Sequence, residues 1–226
     1  MFNLLALILS ALQFAVALRA LRTEQQVLET ESFSGNGILD IRHELKKAEI
    51  IPTVLDDFYP QLEVNVKWPS NKTANLGNTL KPKKLQDAPS IKLVDITHHW
   101  SSPDLKFTIT MTDPDAPSRD NPKWSEMCHW IATNVSLSST QWLQSKPADV
   151  ITYKPPGPPP KTGKHRYVLV AYAPSNMTTT PLNLTVPENR QHWGFGNEGK
   201  GVRDWAEQNG LVPVGANFIY AKNKKQ

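Results

Sequence analysis

A long helix is hard to place in this chain. Proline fixes φ and has no N–H to donate, so it stops helices and central strands alike. Nineteen of the 226 residues are proline, and 11 more are glycine. The expected product is a set of short extended segments joined by stiff turns, with few helices. Hydrophobic residues make up 39% and charged residues 20%, as in an ordinary globule, and the length suits one domain with a sizeable core or a domain with an appendage. The net charge of +4 is mild. No basic helix interleaved with aromatics accompanies it, so nucleic acid is not an expected partner.

The first 17 residues carry no charged side chain, and Leu4 to Leu12 is mainly apolar. That run has the length of a signal-peptide core, and Ala15-Val16-Ala17 is a small-residue cleavage pattern. Arg19 and Arg22 end it short of the roughly 20 apolar residues that a spanning helix needs. Residues 1–17 therefore read as a signal peptide, 18–35 as a flexible polar segment and 36–226 as the folded domain. Four glycosylation sequons, at Asn71, Asn134, Asn176 and Asn183, agree with export. The expected destination is the extracellular space, or the vacuole by the secretory pathway. Asn134 falls in an expected strand, where its sequon would be silent. The single cysteine, Cys128, excludes an internal disulfide, so the fold must rest on its core.

Hydrophobic period places the elements. Ile38, Ile41, Leu45 and Ala48 recur at helical spacing before Pro52. Leu62, Val64, Val66 and Trp68 alternate with polar residues as a half-buried strand does. Further strands are expected at Ile91–Leu93, Phe107–Asp113, His129–Val135, Tyr167–Tyr172 and Asn217–Ala221. Tyr167–Tyr172 is nearly all apolar and should be central. One more helix is expected over Val202–Asn209, stopped by Gly210. Lys222–Gln226 reads as a solvated tail. The fold class is mainly β: an antiparallel Greek-key sandwich with a few short peripheral helices.

Two segments concentrate chemistry. Thr112-Asp-Pro-Asp-Ala-Pro-Ser-Arg119 leaves a strand and turns sharply, its prolines holding the carboxylates rigidly. A surface turn needs only one Asp and one Pro. Pro155-Pro-Gly-Pro-Pro-Pro-Lys-Thr-Gly-Lys-His-Arg-Tyr167 is a stiff run that passes straight into the central strand, as a mere linker would not. Between them, Lys123-Trp-Ser-Glu-Met-Cys-His129 leads into a strand headed by His129. The glycines from Gly194 to Gly201 do not follow a clear strand, so a dinucleotide loop is a weak reading and a tight loop packed by Trp193 and Phe195 a better one.

With these motifs in this order, the chain resembles the phosphatidylethanolamine-binding protein family, also called the Raf kinase inhibitor protein family, over roughly residues 36–222. Asp113-Pro-Asp-Ala-Pro-Ser118, Gly157-Pro-Pro159, Gly163 and His165-Arg-Tyr167 carry the likeness. Within the family, Trp124-Ser-Glu-Met-Cys-His129, Trp193-Gly-Phe-Gly196 and Asn217-Phe-Ile-Tyr-Ala221 look most like the fungal carboxypeptidase Y inhibitor branch. The resemblance implies a small pocket for a phosphate-like anion, formed by Asp113, Pro117, His129, Gly157, Pro159, His165 and Tyr167. Imidazoles would donate to the anion, and a headgroup ammonium would sit against Asp113 or Asp115. Where many members have Trp-His-His, this chain has Met127-Cys128-His129, so one imidazole and one aromatic wall are missing.

The expected function is non-enzymatic binding of a phospholipid headgroup or similar anion by a monomer that needs no cofactor, with peripheral membrane contact. Inhibition of a serine carboxypeptidase is the alternative. A hydrolase or metal site built from Asp113, His129 and His165 is a second alternative, weakened by the lack of a Gly-x-Ser-x-Gly motif. Cys128 and His129, adjacent in a strand, would also point to opposite faces.

Overall fold

The computed structural model describes residues 37, 39–100, 102–137 and 147–225. The chain divides into two compact units, Met1–Leu39 and Asp40–Gln226. Every strand among the described residues belongs to the second. The expected signal peptide and flexible segment lie outside the described residues. Among the described residues, no helix is long and apolar enough to cross a membrane.

Residues 40–47 form helix α1, which buries Ile41 and Leu45 and leaves Lys46 and Lys47 in water. A short turn, α2 (Ile50–Thr53), follows. The strands come next: β1 (Leu62–Trp68), β2 (Lys72–Thr73), β3 (Asn78–Leu80), β4 (Ser90–Asp95), β5 (Phe107–Asp113), β6 (Met127–Val135), β7 (Ala148–Ile151), β8 (Lys164–Pro174) and β9 (Leu211–Lys222). Helix α3 (Val202–Gln208) precedes β9. One sheet has the order β2-β1-β4 and the other β3-β9-β8-β5-β6-β7. All pairs are antiparallel except β3–β9.

The larger sheet is covered on both faces. Tyr167, Leu169, Ala171 and Ala173 of β8 join a core with Leu62, Val64, Val66 and Trp68 of the smaller sheet. Val168, Val170 and Tyr172 face the other way, into a core shared with Leu45 of α1 and Trp205 of α3. Burial on both sides explains why β8 does not alternate, and it puts this strand at the centre, as its composition predicts. The two sheets approach closely at Gly215, where a Cβ would overlap the Leu62 carbonyl.

The structure departs from expectation at several elements. β2, β3 and β7 have no sequence signal, being two to four residues long. β9 starts six residues before Asn217 because Leu211 to Pro213 continue the pairing with β8. The expected solvated tail is tied down: Asn223 Nδ2 donates to the Pro158 carbonyl at 3.0 Å, and the Lys161 N–H donates to the Lys225 carbonyl at 2.9 Å. Asn134 does lie in a strand, but in a left-handed conformation (φ 62°) beside a register shift between β5 and β6, and its side chain is exposed. Strand burial therefore gives no reason for a silent sequon there.

Candidate functional site

Three neighbouring strands deliver polar side chains to one end of the larger sheet: β5 ends at Asp113, β6 begins at Met127 and β8 begins at Lys164. There the seven residues singled out in the sequence line one cavity of about 120 Å³, together with Ala116, Trp124, Met127, Lys154, Pro155 and Pro158. That volume is well below the roughly 300 Å³ at which pockets for drug-sized ligands begin, and suits a headgroup or a small ion. Sequence reasoning did not place Trp124 or Lys154 at the site. Trp124 stands 38% exposed at the rim, and Lys154 reaches it from the stretch between β7 and the prolines. Trp124 opens the Trp124–His129 run, which pointed to a strand start and not to a pocket wall, and Lys154 belongs to no recognisable motif.

Asp113 organises the floor. Its Oδ1 accepts from the Asp115 N–H at 2.8 Å, and its Oδ2 faces His165 Nδ1 at 2.9 Å. Tyr167 turns its hydroxyl to the same carboxylate and to the Gly157 N–H. Burial pushes the Tyr167 hydroxyl far above its usual range, and Asp113 pushes it further, so it stays protonated. The Tyr167 ring stacks on His165 (centroids 6.4 Å apart) and meets His129 edge-on (5.1 Å).

The two histidines differ in what they can offer a ligand. Both ring nitrogens of His165 are taken by the protein: Nδ1 by Asp113, and Nε2 by Thr162 Oγ1 at 3.0 Å, whose hydroxyl also donates to the Pro159 carbonyl. His165 therefore braces the proline loop against β5 and is not a free donor. His129 spends one nitrogen, Nδ1, on the Lys154 carbonyl at 2.7 Å. The nitrogen left for a ligand is Nε2. Burial holds the His129 pKa below its usual value, against the pull of Asp113.

Asp115 does not take the expected part. It is buried away from the cavity and holds the Arg166 guanidinium through Oδ1 (2.6 Å) and Oδ2 (3.0 Å). Arg166 also donates to the Ala48 and Glu49 carbonyls, so this pair fastens the segment after α1 to the sheet. Asp113 is the carboxylate of the pair that lines the cavity.

Cys128 points into the opposite core, and burial pushes its thiol up to about 12. It offers His129 no nucleophile. The described residues contain no group of three or more His, Cys, Asp or Glu placed to hold a metal ion. The glycine-rich stretch serves β6: the Cys128 N–H donates to the Arg190 carbonyl at 2.7 Å and the Glu126 N–H to the Lys200 carbonyl at 3.2 Å. Its Trp193 is buried, as the loop reading requires.

The profile of the phosphatidylethanolamine-binding protein family matches residues 70–219. The carboxypeptidase Y inhibitor of Saccharomyces cerevisiae is 31% identical, over 79% of this chain and 93% of its own length. An uncharacterized protein of the same yeast is 33% identical, over 79% of this chain and 92% of its own. Among solved structures, carboxypeptidase Y inhibitor complexed with its cognate proteinase superposes with a TM-score of 0.73 at 30% identity, covering 83% of this chain and 97% of that one. A phosphatidylethanolamine-binding protein from Plasmodium vivax shares the fold, with a TM-score of 0.64 at 22% identity over 80% and 97%.

Proposed function

Since the chain belongs to the phosphatidylethanolamine-binding protein family, we propose that it binds the phosphate of a lipid headgroup, or a similar small anion, in the cavity at the end of β5, β6 and β8, and catalyses no reaction. One observation carries this reading. Residues from segments far apart in sequence, 113–129 and 154–167, converge on a single small cavity whose deepest polar groups are rigidly held. The prolines wall it, and Asp113 stands ready for an ammonium. The inert Cys128 favours binding over hydrolysis. Calorimetric titration with inorganic phosphate, and flotation with vesicles containing phosphatidylethanolamine, test it. His129→Ala is expected to weaken phosphate binding about tenfold or more, the loss of one hydrogen bond to a charged group. Binding left intact in a folded His129→Ala, His165→Ala double variant would sink the reading.

A second reading is inhibition of a serine carboxypeptidase. It is favoured by the inhibitor of Saccharomyces cerevisiae and by that inhibitor's likeness in complex with its proteinase. Purified protein in large molar excess that leaves carboxypeptidase Y fully active removes it. We further propose export, outside the cell or to the vacuole, with glycans at Asn71, Asn134, Asn176 and Asn183, all of which are exposed.

A further inference from the structure

A carbonyl oxygen can only accept a hydrogen bond. With the Lys154 carbonyl 2.7 Å from His129 Nδ1, that nitrogen must carry the proton. Nε2 of a neutral His129 is then a bare lone pair, which repels an anionic oxygen unless a proton lies between them. No other imidazole relieves this. His165 has both nitrogens occupied, and the residue before His129 is Cys128, which faces the other core. Charged and titratable groups reach the ring from each packed element: Asp113 of β5, His165 and Tyr167 of β8, Lys154 after β7, and Arg190. Burial opposes a second proton on the ring, as do the charges of Lys154 and Arg190, whereas Asp113 and the hydrogen bond to the Lys154 carbonyl favour it.

Resting on the anion-binding reading above, we propose that this cavity takes an anion only together with a proton shared with His129 Nε2. Its preferred ligands are therefore oxyanions that carry their own acidic hydroxyl, such as inorganic phosphate or the monoanion of a phosphomonoester. Fully deprotonated oxyanions bind only after His129 takes up a proton from water. The balance is simple: in the first case the P–O–H hydrogen-bonds to Nε2 and no proton is exchanged; in the second, one proton moves from solvent to Nε2 as the anion enters. A phosphodiester has no such hydroxyl, so the phosphate of a diester headgroup enters as the second case does, with one proton taken up by His129, while its ammonium faces Asp113.

Sulfate and phosphate share size and tetrahedral shape, but only phosphate keeps a hydroxyl near neutral pH, so the pair isolates the effect. The full chain is titrated with each at about pH 6 and about pH 8, in two buffers of different ionisation heat. Phosphate affinity is expected to change less than about threefold, without proton uptake at the higher pH. Sulfate is expected to weaken by about a hundredfold, a factor of ten per pH unit for one linked proton, with about one proton taken up. In His129→Gln, whose amide is a permanent donor, sulfate binding should lose its pH dependence. Equal pH dependence for both ions, or sulfate binding without proton uptake, overturns the proton rule while leaving the pocket reading intact. No binding of either ion at either pH overturns both. Cosedimentation with phosphatidic acid vesicles, displaced by phosphate, would support the rule with the hydroxyl on a lipid. Phosphate binding without cosedimentation would support it with a soluble ion.

Discussion

Glu126 sits buried one residue before β6 begins at the cavity-lining Met127. Its Oε2 accepts from the Thr112 hydroxyl at 2.9 Å, and the first N–H of α3 approaches the same oxygen at 3.5 Å. A β-carbon on Gly201 would overlap the carboxyl, so glycine is required there. Among the described residues Glu126 has no ion-pair partner, and burial raises its pKa to about 7 from an ordinary 4.5. The sign of the consequence follows from linkage. Between those values the folded chain holds a proton that the unfolded chain has released, so stability falls as pH rises through this window. The penalty is absent below about 4.5 and complete above about 7, amounting to about 3 kcal/mol. Glu126→Gln should remove this component: urea unfolding at pH 5 and pH 8 is expected to show the wild type losing about 3 kcal/mol more than the variant. Equal losses in the two proteins would mean that the carboxyl titrates normally.

At the scale of elements, the clamp between the chain end and the proline loop is the feature most open to change. Asn223 reaches the Pro158 carbonyl across the strand pair β8–β9, and the loop returns a bond from Lys161. Because Pro158, Pro159 and Gly157 form one wall of the cavity, the tail sets that wall. Asn223→Ala should cost about 1 kcal/mol of phosphate affinity, or roughly fivefold, while the melting temperature moves little; unchanged affinity would show that the prolines hold themselves. Much of this architecture was legible beforehand. β1 declares itself by alternation and β8 by its unbroken apolar run, and six of the seven pocket residues, all but His129, sit in two motifs whose prolines announce a rigid turn. What stayed hidden depends on pairing across long separations. Nothing local shows that Asp115 will be spent on Arg166, that His165 will be closed off by Thr162, or that a lysine-rich tail will dock. β2 and β7 exist only because a neighbour offers them an edge.

For the molecule as a whole, the strand directions give the larger sheet two unlike ends. β5 and β6 run between the cavity and a far end where Phe107 pairs with Val135. Asn134 lies at that far end, and Asn176 follows the last residue of β8 there. Leu182, next to Asn183, lines a second hollow with Phe107 and Asn134. Three of the four sequons thus gather away from the cavity. If the exported protein carries glycans, Asn134→Gln, Asn176→Gln and Asn183→Gln should each lower its mass by one glycan and leave phosphate affinity unchanged. A glycan whose removal alters that affinity would contradict this separation.

The cavity also joins two materials of different stiffness. His165 and Tyr167 ride on β8, covered on both faces, whereas the opposite wall is a proline loop with Gly157, Pro160 and Lys161 in water. Amides of a doubly covered strand exchange with solvent only when the whole domain opens, and those of an exposed loop exchange through local fluctuation. Ligand entry should therefore slow deuterium uptake at Gly157 and Lys161 while leaving β8 as it was. Half of the binding surface acts as a fixed anvil, and only the other half has to settle onto the guest.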